Sequence, residues 1–264
     1  MAEGLPPAAR DRANHAGLAT VGDIEGTLLA VQAATRAPHP VSPQTPVDSA
    51  AGITTVIDEH AGKAILAAAG IDIPAGRSTA ATPEAATAAA AEVGYPVAAK
   101  VIGIAHKTEV AGVHLDLGDD AALEAAVAHL ATLAPTVLVE EFVGDDAIEL
   151  LIDVRAEPPL GWLLTLGAGG TMTELLDDTT SILLPATPAE IRASLRTLRL
   201  GPRFDGHRGR PPVDLDPLIG MIEALHRLVT EDPSIREIEL NPVLVTAGRA
   251  VAADTIIRRE ESPT

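Results

Sequence analysis

From residue 53 onward, apolar positions switch between a helical and an alternating period, which predicts a chain of helices interleaved with strands. TTVIDEHAGKAILAAAGI has helical spacing and reads as a helix ending at Gly70. Thr82 is placed to cap a second helix, with Pro83 at its first position, an alanine-rich run through Val93 and a stop at Gly94. PVAAKVI reads as a strand, GDDAALEAAVAHLATL as a helix with an acidic first turn, and TVLVEEFV, IELLIDV and GWLLTL as three more strands. Thr187-Pro188-Ala189-Glu190 spells a capping box for a helix through about Arg199. Asp216-Pro217 opens another, with Leu218, Ile222, Leu225 and Val229 along one face. The chain closes on IREIELNPVLV and AVAADTII, two strands joined by a turn at Thr246 to Arg249. The pattern predicts a mixed α/β fold with at least one antiparallel hairpin and no solenoid-type repeat.

Ahead of this lies a helix-like segment, residues 1–36, and then APHPVSPQTPVDSAAG, residues 37–52, whose proline, serine and lack of periodicity predict a linker. The 264 residues suffice for one large domain or two small ones. With only one tryptophan, one tyrosine and two phenylalanines, the core must be built from Ala, Val, Leu and Ile.

Charge narrows the range of partners. A formal net charge of −18 argues against nucleic acid and anionic membrane surfaces, so an anionic ligand would need a local positive pocket, helped by a divalent cation. The lack of cysteine excludes disulfides, thiolate metal sites and a thiol nucleophile. No apolar run approaches the roughly 20 residues that span a bilayer, and the N-terminus has no signal-like apolar region, so the expected compartment is the cytoplasm.

Candidate chemistry lies in three places. In the closing hairpin, centring the turn on Ala247-Gly248 sets Val245 opposite Ala250 and Asn241 opposite Asp254, with Glu239 two residues away on the same face. One face then carries an amide oxygen and two carboxylates, a hard-oxygen set suited to Mg²⁺ or Mn²⁺; a solvated polar edge has the same pattern. GAGGTMTELLDD, residues 167–178, follows a strand; Gly169 and Gly170 would let backbone N–H groups approach phosphate, and Glu174, Asp177 and Asp178 follow. A plain turn is the alternative there. The chain has only three lysines, Lys63, Lys100 and Lys107, against sixteen arginines, and two of the three fall within AAKVIGIAHKTEVAG. An ammonium is a compact point charge suited to phosphate, and His106 beside Lys107 could act as a phosphate contact or as a nucleophile toward phosphorus.

AGIDIP, GYPVAAKV, AHKTEVAGV, VEEFV followed by Glu149, GAGGTMTELLDD, DGHRGRPPVD, and ELNPVLV followed by Asp254 occur in one order. Together they resemble the ATP-grasp module of the NDP-forming acyl-CoA synthetases, also called ADP-forming acetate–CoA ligases and related to the succinyl-CoA synthetase β chain. The resemblance covers residues 53–258 and leaves 259–264 as a tail. It implies an ATP-grasp fold in which two α+β lobes clamp ATP or ADP. Lys100 and Lys107 would contact the phosphates, and Glu141 and Val143 would lie in the hinge that reads adenine. Glu149 would lie near the ribose, and Gly169 and Gly170 near the phosphates. Asn241 and Asp254 would be Mg²⁺ ligands, with Glu239 the neighbouring acid. His106, Lys107 and Glu174 would be catalytic, His106 as a phosphate carrier. Three features depart from the family pattern: the short VIGIAH segment, Ala111 before Gly112, and Ile182 where an arginine often stands.

The implied reaction is acid + CoA + ATP ⇌ acyl-CoA + ADP + phosphate, through an acyl phosphate and a phosphohistidine. The resemblance implies a partner subunit that binds CoA, presents the phosphohistidine and receives the small carboxylic acid, and it makes residues 1–36 a remnant of such a preceding domain. Two other functions fit the same fold: a stand-alone carboxylate–amine ligase, and a nucleotide-binding regulatory subunit without turnover.

Overall fold

The computed structural model describes residues 54–104, 107, 110–144, 146–170, 173, 178–206, 209 and 211–260, together with Arg12, Leu28 and Val47. Internal contacts divide the chain into residues 1–41 and 42–264, and both sheets belong to the second unit. Apart from Arg12, Leu28 and Val47, the expected helical segment and linker lie outside the described residues.

The second unit opens with β1 (Thr54–Ile57), α1 (Glu59–Ala68), β2 (Gly76–Ala80), α2 (Pro83–Val93), β3 (Val97–Val101) and β4 (Val113–Leu117). It continues with α3 (Asp120–Leu130), β5 (Thr136–Glu141), β6 (Ile148–Glu157), β7 (Gly161–Ala168) and β8 (Thr179–Leu184). The last elements are α4 (Pro188–Thr197), α5 (Asp216–Glu231), β9 (Ile235–Val245), β10 (Ala250–Ala252) and β11 (Thr255–Glu260). The strands form two antiparallel sheets. The larger runs β1-β11-β9-β6-β7-β8 with β10 beside β9, and the smaller runs β2-β5-β3-β4.

Each sheet has its own core. In the smaller lobe, Val97, Ala99, Val101, Val137 and Val139 pack against Ala86 and Ala90 of α2 and Leu123, Val127 and Leu130 of α3. Because side chains alternate across a strand, Ala98, Lys100, Leu138 and Glu140 point to the opposite face. In the larger lobe, Leu150, Ile152, Val154, Leu164 and Leu166 pack with Ile191 and Leu195 of α4 and Leu218, Ile222 and Leu225 of α5. Leu66 of α1 joins this second core, so α1 belongs to the larger lobe.

Several sequence expectations hold in detail. Thr82 caps α2 with Pro83 in its first turn, and Thr187 and Glu190 make both halves of the capping box on α4, which ends at Thr197. The first helix is shorter than its spacing predicts: residues 54–57 are not helical but form β1, paired antiparallel with β11. Four β-branched residues in a row favour a pleated strand, and Asp58, whose side chain accepts from the Ala61 N–H, starts α1 after them. The hydrophobic pattern does not mark β2, β4 or β8. The last strand continues to Glu260, into the segment expected to be a tail.

The face of the larger sheet opposite its core carries a polar row. Ser181, Thr165, Asp153 and Glu239 stand opposite one another on β8, β7, β6 and β9. Burial and the nearby Glu237 push the Asp153 carboxyl up to about 6; Arg155 opposes this and Glu239 adds to it. A native carboxyl with a raised pKa holds its proton more tightly than in the unfolded chain, so ionising it costs stability as pH rises from about 4 to about 6. Asp153→Asn is therefore expected to melt a few degrees above wild type at pH 8, with the difference closing toward pH 4. Allowing for the solvent that reaches this face, the gain is about 1 kcal/mol. Thermal denaturation at the two pH values checks it, and an equal offset at both would contradict it.

Candidate functional site

The three lysines of the chain meet in one place. α1 sets Glu59 and Lys63 one turn apart on the same face, where Lys63 Nζ lies 3.0 Å from a Glu59 oxygen. Lys63 also donates to Glu140 Oε2 at 2.6 Å. The other oxygen of Glu140 pairs with Lys100, which donates in addition to the Ala253 carbonyl at 2.9 Å. Lys107 pairs with Glu59 and lies 3.1 Å from Asp254 Oδ2. The network thus alternates lysine and carboxylate, Lys100–Glu140–Lys63–Glu59–Lys107–Asp254. It links β3 and β5 of the smaller lobe to α1 and the β10–β11 corner of the larger.

Burial makes these contacts strong. Lys63, Lys100 and Glu140 are 4%, 7% and 2% exposed, so their ion pairs are scarcely screened by water. Burial opposes ionisation of Glu59, but Lys63, Lys100 and Lys107 outweigh it and hold the carboxyl down at about 2. Burial also opposes the charge on Lys100, and Glu140, Glu59 and Asp254 more than restore it, raising its pKa. Asp254 is the exception. Burial and repulsion from Glu59 raise its carboxyl in spite of Lys107 and Lys100, so this carboxylate is short of positive charge.

Asp254 sits where the hairpin register was expected to put it. Val245 pairs with Ala250, and Val243 with Ala252; beyond Pro242 the same register resumes with Leu240 opposite Thr255. Asn241 therefore faces Asp254 and donates its N–H to the Asp254 carbonyl at 3.3 Å. The Asn241 side chain ties in the glycine turn, since its Oδ1 accepts from the Gly170 N–H at 2.8 Å. Gly170 has φ +69°, and a Cβ there would land on the Glu149 carboxylate, so glycine is required on both counts. Gly169 donates to the Glu149 carbonyl at 3.0 Å. Glu149, Gly169, Gly170 and Asn241 are thus one assembly where β6 begins and β7 ends.

The remaining expected residues are placed less centrally. Glu239 pairs with Asp153 on one side and Ile256 on the other, and its carboxyl is raised by burial and by Glu237, with a smaller push from Asp254. Glu141 ends β5, where hydrogen bonds from Arg249 hold its carboxyl low; Arg249 also binds Asp72 at 2.9 Å. Val143 follows Phe142, whose N–H donates to the Pro96 carbonyl. His106 and Glu174 lie outside the described residues. Glu59, Lys63 and Glu140 are members of the site that the motifs did not point to. Their signals were available in the i,i+4 spacing of Glu59 and Lys63 and in the alternation that turns Glu140 away from the valine core.

The donors present suit a divalent cation. Asp254 and the Asn241 amide oxygen are hard ligands, and burial with Glu59 nearby raises the Asp254 carboxyl in spite of Lys107. Among the described residues, no three His, Asp or Glu side chains are grouped so as to hold a metal ion by themselves.

A lysine cradle between two α+β lobes, facing an amide and a carboxylate on the closing hairpin, defines a nucleotide-clamping protein class. Residues 49–258 match the ATP-grasp domain family, to which the chain belongs. It is 34% identical over 199 residues to a 4-hydroxybutyrate–CoA ligase (ADP-forming) of Nitrosopumilus maritimus, covering 71% of this chain and 28% of the ligase. It is 27% identical over 206 residues to the β subunit of acetate–CoA ligase (ADP-forming) I of Pyrococcus furiosus, covering 74% of this chain and 88% of the subunit. The chain therefore spans less than a third of the long relatives and nearly all of a separate subunit. Among solved structures, it superposes with TM-score 0.68 and 25% identity on acetyl-coenzyme A synthetase 1 of Ca. Korarchaeum cryptofilum in complex with coenzyme A and Mg-AMPPCP. That match covers 78% of this chain and 93% of the other, and in it the phosphohistidine segment points toward the nucleotide-binding site. Among the described residues, no helix is long and apolar enough to cross a membrane.

Removing one member of a buried ion pair strands the others, which typically costs about 3–5 kcal/mol. Glu140→Ala, which takes the shared carboxylate from Lys63 and Lys100 and leaves Lys100 without its ion pair, is expected to lose about that much in denaturant unfolding, against well under 1 kcal/mol for a change at the exposed pair Arg77–Glu92. A loss at Glu140 no larger than at Glu92 would contradict the clamp.

Proposed function

We propose that this chain is the nucleotide-binding part of an NDP-forming acyl-CoA synthetase, passing phosphoryl between ATP or ADP and a histidine presented by a CoA-binding partner. The observation that carries the reading is the ion-pair network that joins all three lysines and ends on Asp254, which Asn241 faces across the hairpin, in a family whose relatives of similar sequence include ADP-forming CoA ligases. On this reading, Lys100 and Lys107 neutralise phosphate charge, and the turn at Gly169 and Gly170, whose N–H groups bond to the Glu149 carbonyl and Asn241, borders the phosphates through its close backbone. Glu149 orients the ribose, and the backbone around Glu141 and Val143 borders the base. Asp254 and Asn241 would hold Mg²⁺, with Glu239 in support, and the ion would supply charge neutralisation across the phosphates. His106 and Glu174 are proposed to act at the transferring phosphoryl.

In the direction of acyl-CoA formation, the partner's histidine takes the γ-phosphoryl from ATP, leaving ADP, and then passes it to the carboxylic acid. The acyl phosphate so formed is attacked by the CoA thiol, releasing inorganic phosphate. The chain's own part is to bind, orient and exclude water during the first transfer. CoA and the small carboxylic acid bind through the partner.

Three results are expected. With γ-³²P-ATP and Mg²⁺, label should pass to a histidine of an added CoA-binding partner, and the chain alone should form no acyl-CoA; acyl-CoA formed by the chain alone would overturn the partner assignment. Lys100→Ala should weaken Mg·ATP binding about 30-fold or more by calorimetry, the loss of one charged contact; unchanged affinity in a folded variant would refute the phosphate role. Asp254→Asn should raise the Mg²⁺ concentration at half-maximal transfer, and an unchanged requirement would count against the hairpin site.

A further inference from the structure

The charges of the network sum to zero, but not evenly. Lys63 and Lys100 share the single carboxylate of Glu140, an excess of one positive charge. Lys107 lies between two carboxylates, Glu59 and Asp254, an excess of one negative charge. Glu59 is shared: one oxygen lies 3.0 Å from Lys63, which keeps Glu140 at 2.6 Å without it, and the other pairs with Lys107. Of its two lysine partners, Lys107 is the one that engages a phosphate on the proposed function.

We propose that Glu59 is a positioning residue that makes nucleotide capture conditional on the divalent cation. It occupies Lys107 as a stand-in for phosphate, so that a metal-free nucleoside polyphosphate meets a cradle with no net charge and a lysine already paired. Asp254, with the Asn241 amide oxygen beside it, would hold the cation, whose charge would offset this carboxylate and leave Glu59 as the one carboxylate on Lys107. The ammonium then exchanges Glu59 for a phosphate oxygen. This inference rests on the proposed nucleotide function and concerns the order in which charges are exchanged within it. Carboxylates ordinarily repel an incoming phosphate; here that repulsion selects the metal complex over the free nucleotide. Glu59 keeps its charge in the exchange, since the lysines hold its carboxyl well below neutral pH.

The chain's three lysines make the exchange observable in the intact protein. Lysine labelled with ¹³C at Cε gives three signals, and that of Lys107 is assigned by its loss in Lys107→Arg. Mg·ADP is expected to shift the Lys107 signal, whereas ADP in EDTA at the same concentration leaves it in place. Binding by calorimetry should favour Mg·ADP over metal-free ADP about 100-fold in wild type and about 10-fold or less in Glu59→Gln, because the variant's cradle carries one more positive charge and holds metal-free ADP more tightly. Glu59→Asp, which keeps the charge, should stay closer to the wild-type ratio. If Glu59→Gln weakens both forms in proportion, or if metal-free ADP moves the Lys107 signal as far as Mg·ADP does, Glu59 is only a structural ion pair and the inference is overturned. Should Glu59→Gln fail to fold, the wild-type Lys107 signal alone decides. Wild type that binds neither form would instead overturn the nucleotide assignment itself.

Discussion

The buried carboxylate of Glu140 is the constraint on which the rest of this structure depends. It sits on the cleft face of the smaller sheet with an ammonium on each oxygen, Lys100 from its own sheet and Lys63 from a helix of the other lobe. An unpaired charge at 2% exposure would be costly, so the two lobes are held wherever both lysines can reach it. The same requirement draws in Glu59, one helical turn from Lys63, and through Glu59 it places Lys107 against the closing hairpin. The charges that fix the lobes and the charges offered to a ligand are therefore parts of one network.

This coupling accounts for the use of lysine. A guanidinium presents a planar fork that suits two coplanar acceptors, whereas Lys63 must reach Glu59 and Glu140 and Lys100 must reach Glu140 and the Ala253 carbonyl, each from a different element. An ammonium's three donors point in different directions and can satisfy such acceptors. Arginine is kept for forked and more exposed contacts, as where Arg249 bridges Asp72 and Glu141.

Much of this was legible in the sequence where the interactions are local. Caps at Thr82 and Thr187, the hairpin register that sets Asn241 against Asp254, and the resemblance that pointed to the fold all rest on residues near one another in the chain or on ordered motifs. What escaped was long-range. Glu59 and Glu140 acquire a role only once α1 is known to pack on the larger lobe with its polar face toward β3 and β5. Nothing in their local sequence states that packing. The four β-branched residues of β1 favour a strand locally, but the partner that makes them one, β11, lies about 200 residues away.

The most direct measurement of the central claim is a structure of this chain bound to Mg²⁺ and a non-hydrolysable ATP analogue. The account predicts phosphate oxygens on the Lys100 and Lys107 ammonium groups, the metal on Asp254 and Asn241, and the Lys63–Glu140–Lys100 bridge intact. A nucleotide seated elsewhere, with Lys107 still on both Glu59 and Asp254, would contradict it.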